Sequence, residues 1–120
     1  MTLYTASIQR QAKSSDGTRA SIMRFNRPYY KFDAWIPALA PSEELLLGYK
    51  ANKISWDEYE IRFKAEVLDK QKDLIAILSE AALDHDITLL CWENGASQCH
   101  RRLVAEECKK YKPKLQVVLK

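Results

Sequence analysis

The stretch ITLLCWENGASQCHRRLVAEECKKY, residues 87–111, decides how the chain reads. Its first part, Ile87 to Trp92, is an unbroken apolar run that ends in a turn, the pattern of a central strand covered on both faces. Asn94-Gly95 signals the turn, and Ser97 is the expected N-cap of the helix that follows. Along that helix, Val104, Cys108 and Tyr111 form one stripe expected to face the sheet, which makes Cys108 a small core hydrophobe. Cys91 closes the strand, and Cys99-His100-Arg101-Arg102 opens the helix. Ligands of open α/β sheets bind beyond the carboxyl ends of strands, beside helix N-termini, so this junction is the expected site.

Working outward, Pro113 ends the helix and Leu115 to Leu119 supply a last short strand, near an edge or in a parallel slot. Upstream, Trp56, Tyr59, Phe63 and Val67 recur at helical spacing behind Ser55-Trp56-Asp57-Glu58, which fits a capping box. Leu74, Ile75, Leu78, Ala81 and Ala82 continue the period on a shifted phase, so two consecutive helices are expected over 56–69 and 70–84. A shorter helix is expected from Ser42, as N-cap, to about Tyr49. His85 reads as a solvated linker residue. Leu3 to Ile8 and Ala20 to Phe25 read as strands around a turn cluster, Ser14-Ser15-Asp16-Gly17. A hairpin and a pair separated by an ordered loop both fit that spacing.

Asn26 to Pro41 holds three of the four prolines and no helical or strand period. Arg24, Arg27, Tyr29, Tyr30, Lys31 and Trp35 interleave cations with rings, the mixture that binds phosphates and stacks on bases. The same rings can equally serve to pin an irregular loop to the core.

With 120 residues, 47% of them hydrophobic, the chain fits one domain over 1–120 that needs no disulfide or metal to fold. No stretch resembles a signal peptide or a membrane span, and three cysteines is an odd count. Reduced thiols and a cytoplasmic location are therefore expected, with no membrane partner. The net charge of +3 divides into +4 over residues 1–41, −6 over 42–98 and +5 over 99–120. Basic ends around an acidic middle would make one basic face if the ends meet.

The chemistry concentrates at the strand–turn–helix. A thiol at a helix N-terminus is drawn towards thiolate by unpaired N–H groups and the helix dipole, and His100, Arg101 and Arg102 add positive potential around Cys99. Cys91 stands across the turn as a resolving or second thiol, and Glu93 as a general acid or base. The cysteine-phosphatase loop needs an arginine six residues after the cysteine; Ser97 and Ala105 occupy those positions. Cys91, Cys99 and His100 are three soft ligands, yet adjacent residues on a helix point in different directions, so no metal is expected. No other cofactor is called for.

Thr88-Leu89-Leu90-Cys91, Glu93 and Cys99-His100-Arg101 followed by Leu103-Val104-Ala105-Glu106 resemble the signature of domain-of-unknown-function family 488. Leu39-Ala40-Pro41, Leu45-Leu46, Tyr49-Lys50, Ile54-Ser55-Trp56 and Tyr59 match its short phage-like and bacterial members in order, so the resemblance spans roughly residues 1–111. Many members carry a proline shortly before Cys-His-Arg; Asn94 to Gln98 has none. The resemblance implies a compact α/β domain.

The expected architecture is thus a single α/β domain, a small mostly parallel sheet flanked by helices. The leading functional expectation is a small cysteine-dependent enzyme acting on a phosphorylated or nucleotide-like anion. Cys99 would be its thiolate, His100, Glu93 and Cys91 its supporting groups, and Arg101 and Arg102 its anion clamp, joined by Arg27, Tyr30 and Lys31. The alternative is a non-catalytic module that binds a small anion or nucleic acid through the basic ends and the aromatic loop. Nothing in the sequence indicates an oligomeric state.

Overall fold

The computed structural model describes residues 1–26 and 29–120. Arg27, expected to bind anions, lies outside the described residues. Five strands form one wholly parallel sheet: β1 (Thr2–Ser7), β2 (Thr18–Ser21), β3 (Ala34–Trp35), β4 (Ile87–Cys91) and β5 (Gln116–Val118), in the order β3-β2-β4-β1-β5. The helices are α1 (Glu43–Lys50), α2 (Trp56–Phe63), α3 (Lys72–Asp84) and α4 (His100–Tyr111).

β4 takes the central slot, pairing Leu89 with both Thr5 and Ala20, and all five of its residues are buried. That is the environment its unbroken apolar run demands. β1 and β2 are not a hairpin: both run parallel to β4, one on each side of it. Gly17 sets the turn into β2 with φ of 65°, and a Cβ there would meet the Asp86 carbonyl oxygen at 2.1 Å. Only glycine fits this close approach. β2 stops at Ser21, short of the expected Phe25.

The irregular 26–41 segment contributes the two-residue edge strand β3 and a 3₁₀ turn at Pro37–Leu39. At the other edge lies β5, as its short run suggests. Ser42 and Ser55 cap α1 and α2, accepting from the Leu45 and Glu58 amides. A π-helical turn, Lys64–Leu68, extends α2 and re-phases the buried stripe towards α3. The main core joins Leu3, Ala20 and Leu89 to Tyr59 and Phe63 of α2, Leu78 of α3 and Val104 of α4. Cys108 is fully buried there, whereas Tyr111 is half exposed with Lys112 over its ring, so the sheet-facing stripe runs through Arg101, Val104, Ala105 and Cys108.

A second, smaller cluster gathers at the carboxyl ends of the strands: Ala6, Ile8, Met23, Leu90, Cys91 and Cys99, with Tyr30, Phe32 and Trp92 packed on it. Among the described residues no helix is long and apolar enough to cross a membrane.

Candidate functional site

α4 begins two residues later than Ser97 would have started it, because Cys99 itself is the N-cap, with extended backbone at φ −142° and ψ 142°. Its side chain therefore does not follow the helical progression that would separate it from His100. Instead Cys91, Cys99 and His100 converge: their ligand atoms all lie within 4.8 Å of one another, and all three residues are buried. Adjacency within a helix is the wrong geometry for a residue that only caps it.

His100 Nε2 lies 2.6 Å from the Ile22 carbonyl oxygen. A carbonyl only accepts, so Nε2 carries a proton and donates it to Ile22. The Cys91 sulfur lies 3.4 Å from that Nδ1.

Among the described residues, Arg101 is the largest fully buried side chain. Its Nη1 donates to the Glu93 main-chain oxygen at 2.8 Å and to Cys99 Sγ at 3.3 Å, and its Nη2 to the Lys120 main-chain oxygen at 3.0 Å. Its Nε has no hydrogen-bond partner among the described residues, and no Asp or Glu side chain pairs with it. A buried guanidinium is costly unless an anion answers it, and Cys99 supplies the one sulfur it touches. The hydrogen bond from Cys91, then His100 and the Arg101 charge, hold the Cys99 thiol well below its ordinary range against the opposing effect of burial. The Cys99 hydrogen bond and burial push the Cys91 thiol up.

The pair opens onto a cavity of about 220 Å³. Cys91, Cys99 and His100 form its buried end; Met23, Tyr49, Trp56, Tyr59 and Trp92 line its sides, and Arg24, Lys50, Glu93 and Gln98 lie towards its mouth. Tyr49, Trp56 and Tyr59 are in mutual ring contact, with centroids 4.9–5.6 Å apart. Burial pushes the Tyr59 hydroxyl far up, so it stays neutral.

The structure places the expected residues unevenly. Cys91, Cys99, His100 and Glu93 all border the cavity, Glu93 through an exposed position. Arg101 and Arg102 do not line it. Arg101 turns inward to Cys99, while Arg102 pairs with Glu60 and Glu106 and lies over the Trp56 ring, 5.8 Å from its centroid. Tyr30 packs edge-on against Trp92 at 5.6 Å, and the Lys31 side chain is exposed. Their loop covers the smaller cluster. Arg24, one of the cations interleaved with rings in the sequence, lines the cavity, whereas Lys50 and the rings of α1 and α2 are cavity residues that the sequence did not single out as a site. The helical stripe Trp56, Tyr59, Phe63 was legible as a buried face, but nothing in it distinguished cavity wall from core.

A parallel five-stranded α/β domain with paired thiols at the carboxyl end of its central strand, one of them against a buried arginine, defines the class of this protein. The family model described as "Active DUF488-N3 subclade" matches residues 3–112. The chain belongs to that family. No curated protein and no solved structure matches it.

Proposed function

We propose that the protein is a cysteine-dependent enzyme in which the Cys99 thiolate attacks an electrophilic centre of an anionic, nucleotide-like ligand held in the cavity. The observation that carries this reading is the contact at 3.3 Å between Cys99 Sγ and buried Arg101, which no Asp or Glu side chain among the described residues pairs with. It is a standing counter-charge for a thiolate. The description of the matching subclade as active agrees with an enzyme. Arg24 and Lys50 offer positive charge towards the mouth, and the Tyr49–Trp56–Tyr59 rings offer faces for a planar group.

The step balances with these groups alone. Cys99 Sγ donates its electron pair to phosphorus or carbon, and the bond to the leaving group breaks with its own pair. The leaving group takes the Cys91 proton. Water, deprotonated with the help of Glu93, then attacks the covalent adduct and releases Cys99 as thiolate, and its proton returns to Cys91. His100, fixed by the Ile22 carbonyl, holds Cys91 in position.

Intact-mass measurement after incubation with a panel of nucleotides and phosphate esters tests this. A ligand-dependent mass gain on Cys99, absent in Cys99→Ser and kept in Cys108→Ser, is expected. Turnover of any such ligand by Cys99→Ser at the wild-type rate would overturn it. The alternative, nucleic-acid binding through basic ends, has less support: Arg10 and Arg19 are paired with Asp16, Lys110 with Glu107 and Lys112 with Glu80.

A further inference from the structure

We propose that Cys91 Sγ, Cys99 Sγ and His100 Nδ1 form a binding site for a soft divalent cation of the zinc class, with its fourth ligand position facing the cavity. Three donors of the right type converge within 4.8 Å, and among the described residues they are the sole such group. Zinc bonds of ~2.3 Å to sulfur and ~2.0–2.1 Å to nitrogen set tetrahedral edges of roughly 3.6 Å between sulfur and nitrogen and roughly 3.8 Å between sulfurs. The Cys91–His100 separation of 3.4 Å already matches the first, and closing the remaining edges needs about 1 Å of side-chain movement at most.

A second, independent observation concerns the histidine. Its Nε2–H is spent on the Ile22 carbonyl at 2.6 Å, the outer-shell contact that fixes a metal-binding imidazole and leaves Nδ1 as the donor. Arg101 donates to one of the two sulfurs, as outer-shell groups do at thiolate sites. Its charge also decides what completes the site. Two thiolates, one divalent cation and the adjacent guanidinium leave a single positive charge, so the fourth ligand is hydroxide or an anionic group of a cavity ligand.

The inference shares its side chains with the proposed function and makes that function switchable, because a bound ion occupies the electron pair of Cys99 that nucleophilic attack requires. It does not depend on the enzyme reading, since an ion needs donors and not a nucleophile.

The test is anaerobic titration of the reduced, metal-free full chain with Co²⁺, read by absorption. A sulfur-to-cobalt charge-transfer band with tetrahedral d–d bands is expected, saturating at one equivalent and displaced by Zn²⁺. Removing an outer-shell partner weakens metal sites ~10–100-fold, so loss of a ligand in Cys91→Ser should weaken binding by ~100-fold or more, with Cys108→Ser unchanged. No band in the wild-type protein overturns the site, as does a band that survives in both Cys91→Ser and Cys99→Ser. Iodoacetamide labelling of the metal-free protein separates the two ideas. Fast labelling of Cys99 without a cobalt band removes the metal site and leaves the enzyme standing, and a cobalt band with slow labelling does the reverse.

Discussion

Arg101 and Cys99 lie two residues apart across the start of α4, and the guanidinium of the first donates to the sulfur of the second at 3.3 Å from a fully buried position. The arginine that the sequence suggested as a clamp for an outside anion turns inward, onto a sulfur of its own chain.

The first consequence is a pH profile. With Cys99 held below the ordinary thiol range by Cys91, His100 and Arg101, iodoacetamide should label it at pH 6–7 in metal-free, reduced protein. A free thiol ionises near pH ~8.5, so a labelling midpoint there would remove the activated thiolate. Peptide mass spectrometry reads each cysteine separately.

Arg101→Met should raise the labelling midpoint of Cys99 by removing its cation. Taking one partner out of a buried ion pair also costs about 3–5 kcal/mol, measurable by urea unfolding. A variant that unfolds at the wild-type urea concentration would show that the pair carries no such charge.

Cys108 gives the opposite sign. Burial raises its thiol to about 11, so the native state holds this proton more tightly than the unfolded chain does. Its contribution is fully present below the unfolded thiol pKa and is lost as pH rises from about 8.5 to about 11. Cys108→Ala should flatten that alkaline decline in stability while lowering stability at neutral pH, both followed by denaturant melts.

At acid pH the responsible group is Asp16, which bridges Arg10 at 2.8 Å and Arg19 at 2.7 Å while both its carboxylate and Arg19 are buried. Burial raises its pKa, but hydrogen bonds from the Lys13 amide, Arg10 and Arg19 outweigh it and leave the carboxyl lowered. The stability it contributes is present above the unfolded carboxyl range, near pH ~3.9, and falls away below it. Asp16→Asn should cost about 3 kcal/mol at neutral pH by stranding Arg19, with the loss shrinking towards pH 3.

The central strand was legible because an apolar run with no polar alternation fits only a slot buried on both faces, and the helices because their serine caps and periodic faces agree. The parallel pairing of β1 with β4 was not legible, since a short loop between two strands fits a hairpin as well as a split pair. Within the site, the residue types at 91, 93, 99 and 100 were readable, but their directions were not. Whether Cys99 caps α4 or belongs to it shifts its side chain from divergent to convergent with His100, and that depends on the Ile22 and Glu93 carbonyls, which come from other parts of the chain. A buried arginine reads on paper like an exposed one.

The order β3-β2-β4-β1-β5 bears on how the molecule is made. β1 and β2 have no pairing partner in each other; β2 has β3 close by in the chain, but the two meet in one sheet only through β4, more than sixty residues further on. Such long loop closures slow folding and leave strand edges open meanwhile. The segment that joins them ends in Cys91, so the strand that unites the two halves of the sheet also delivers the first of the two thiols.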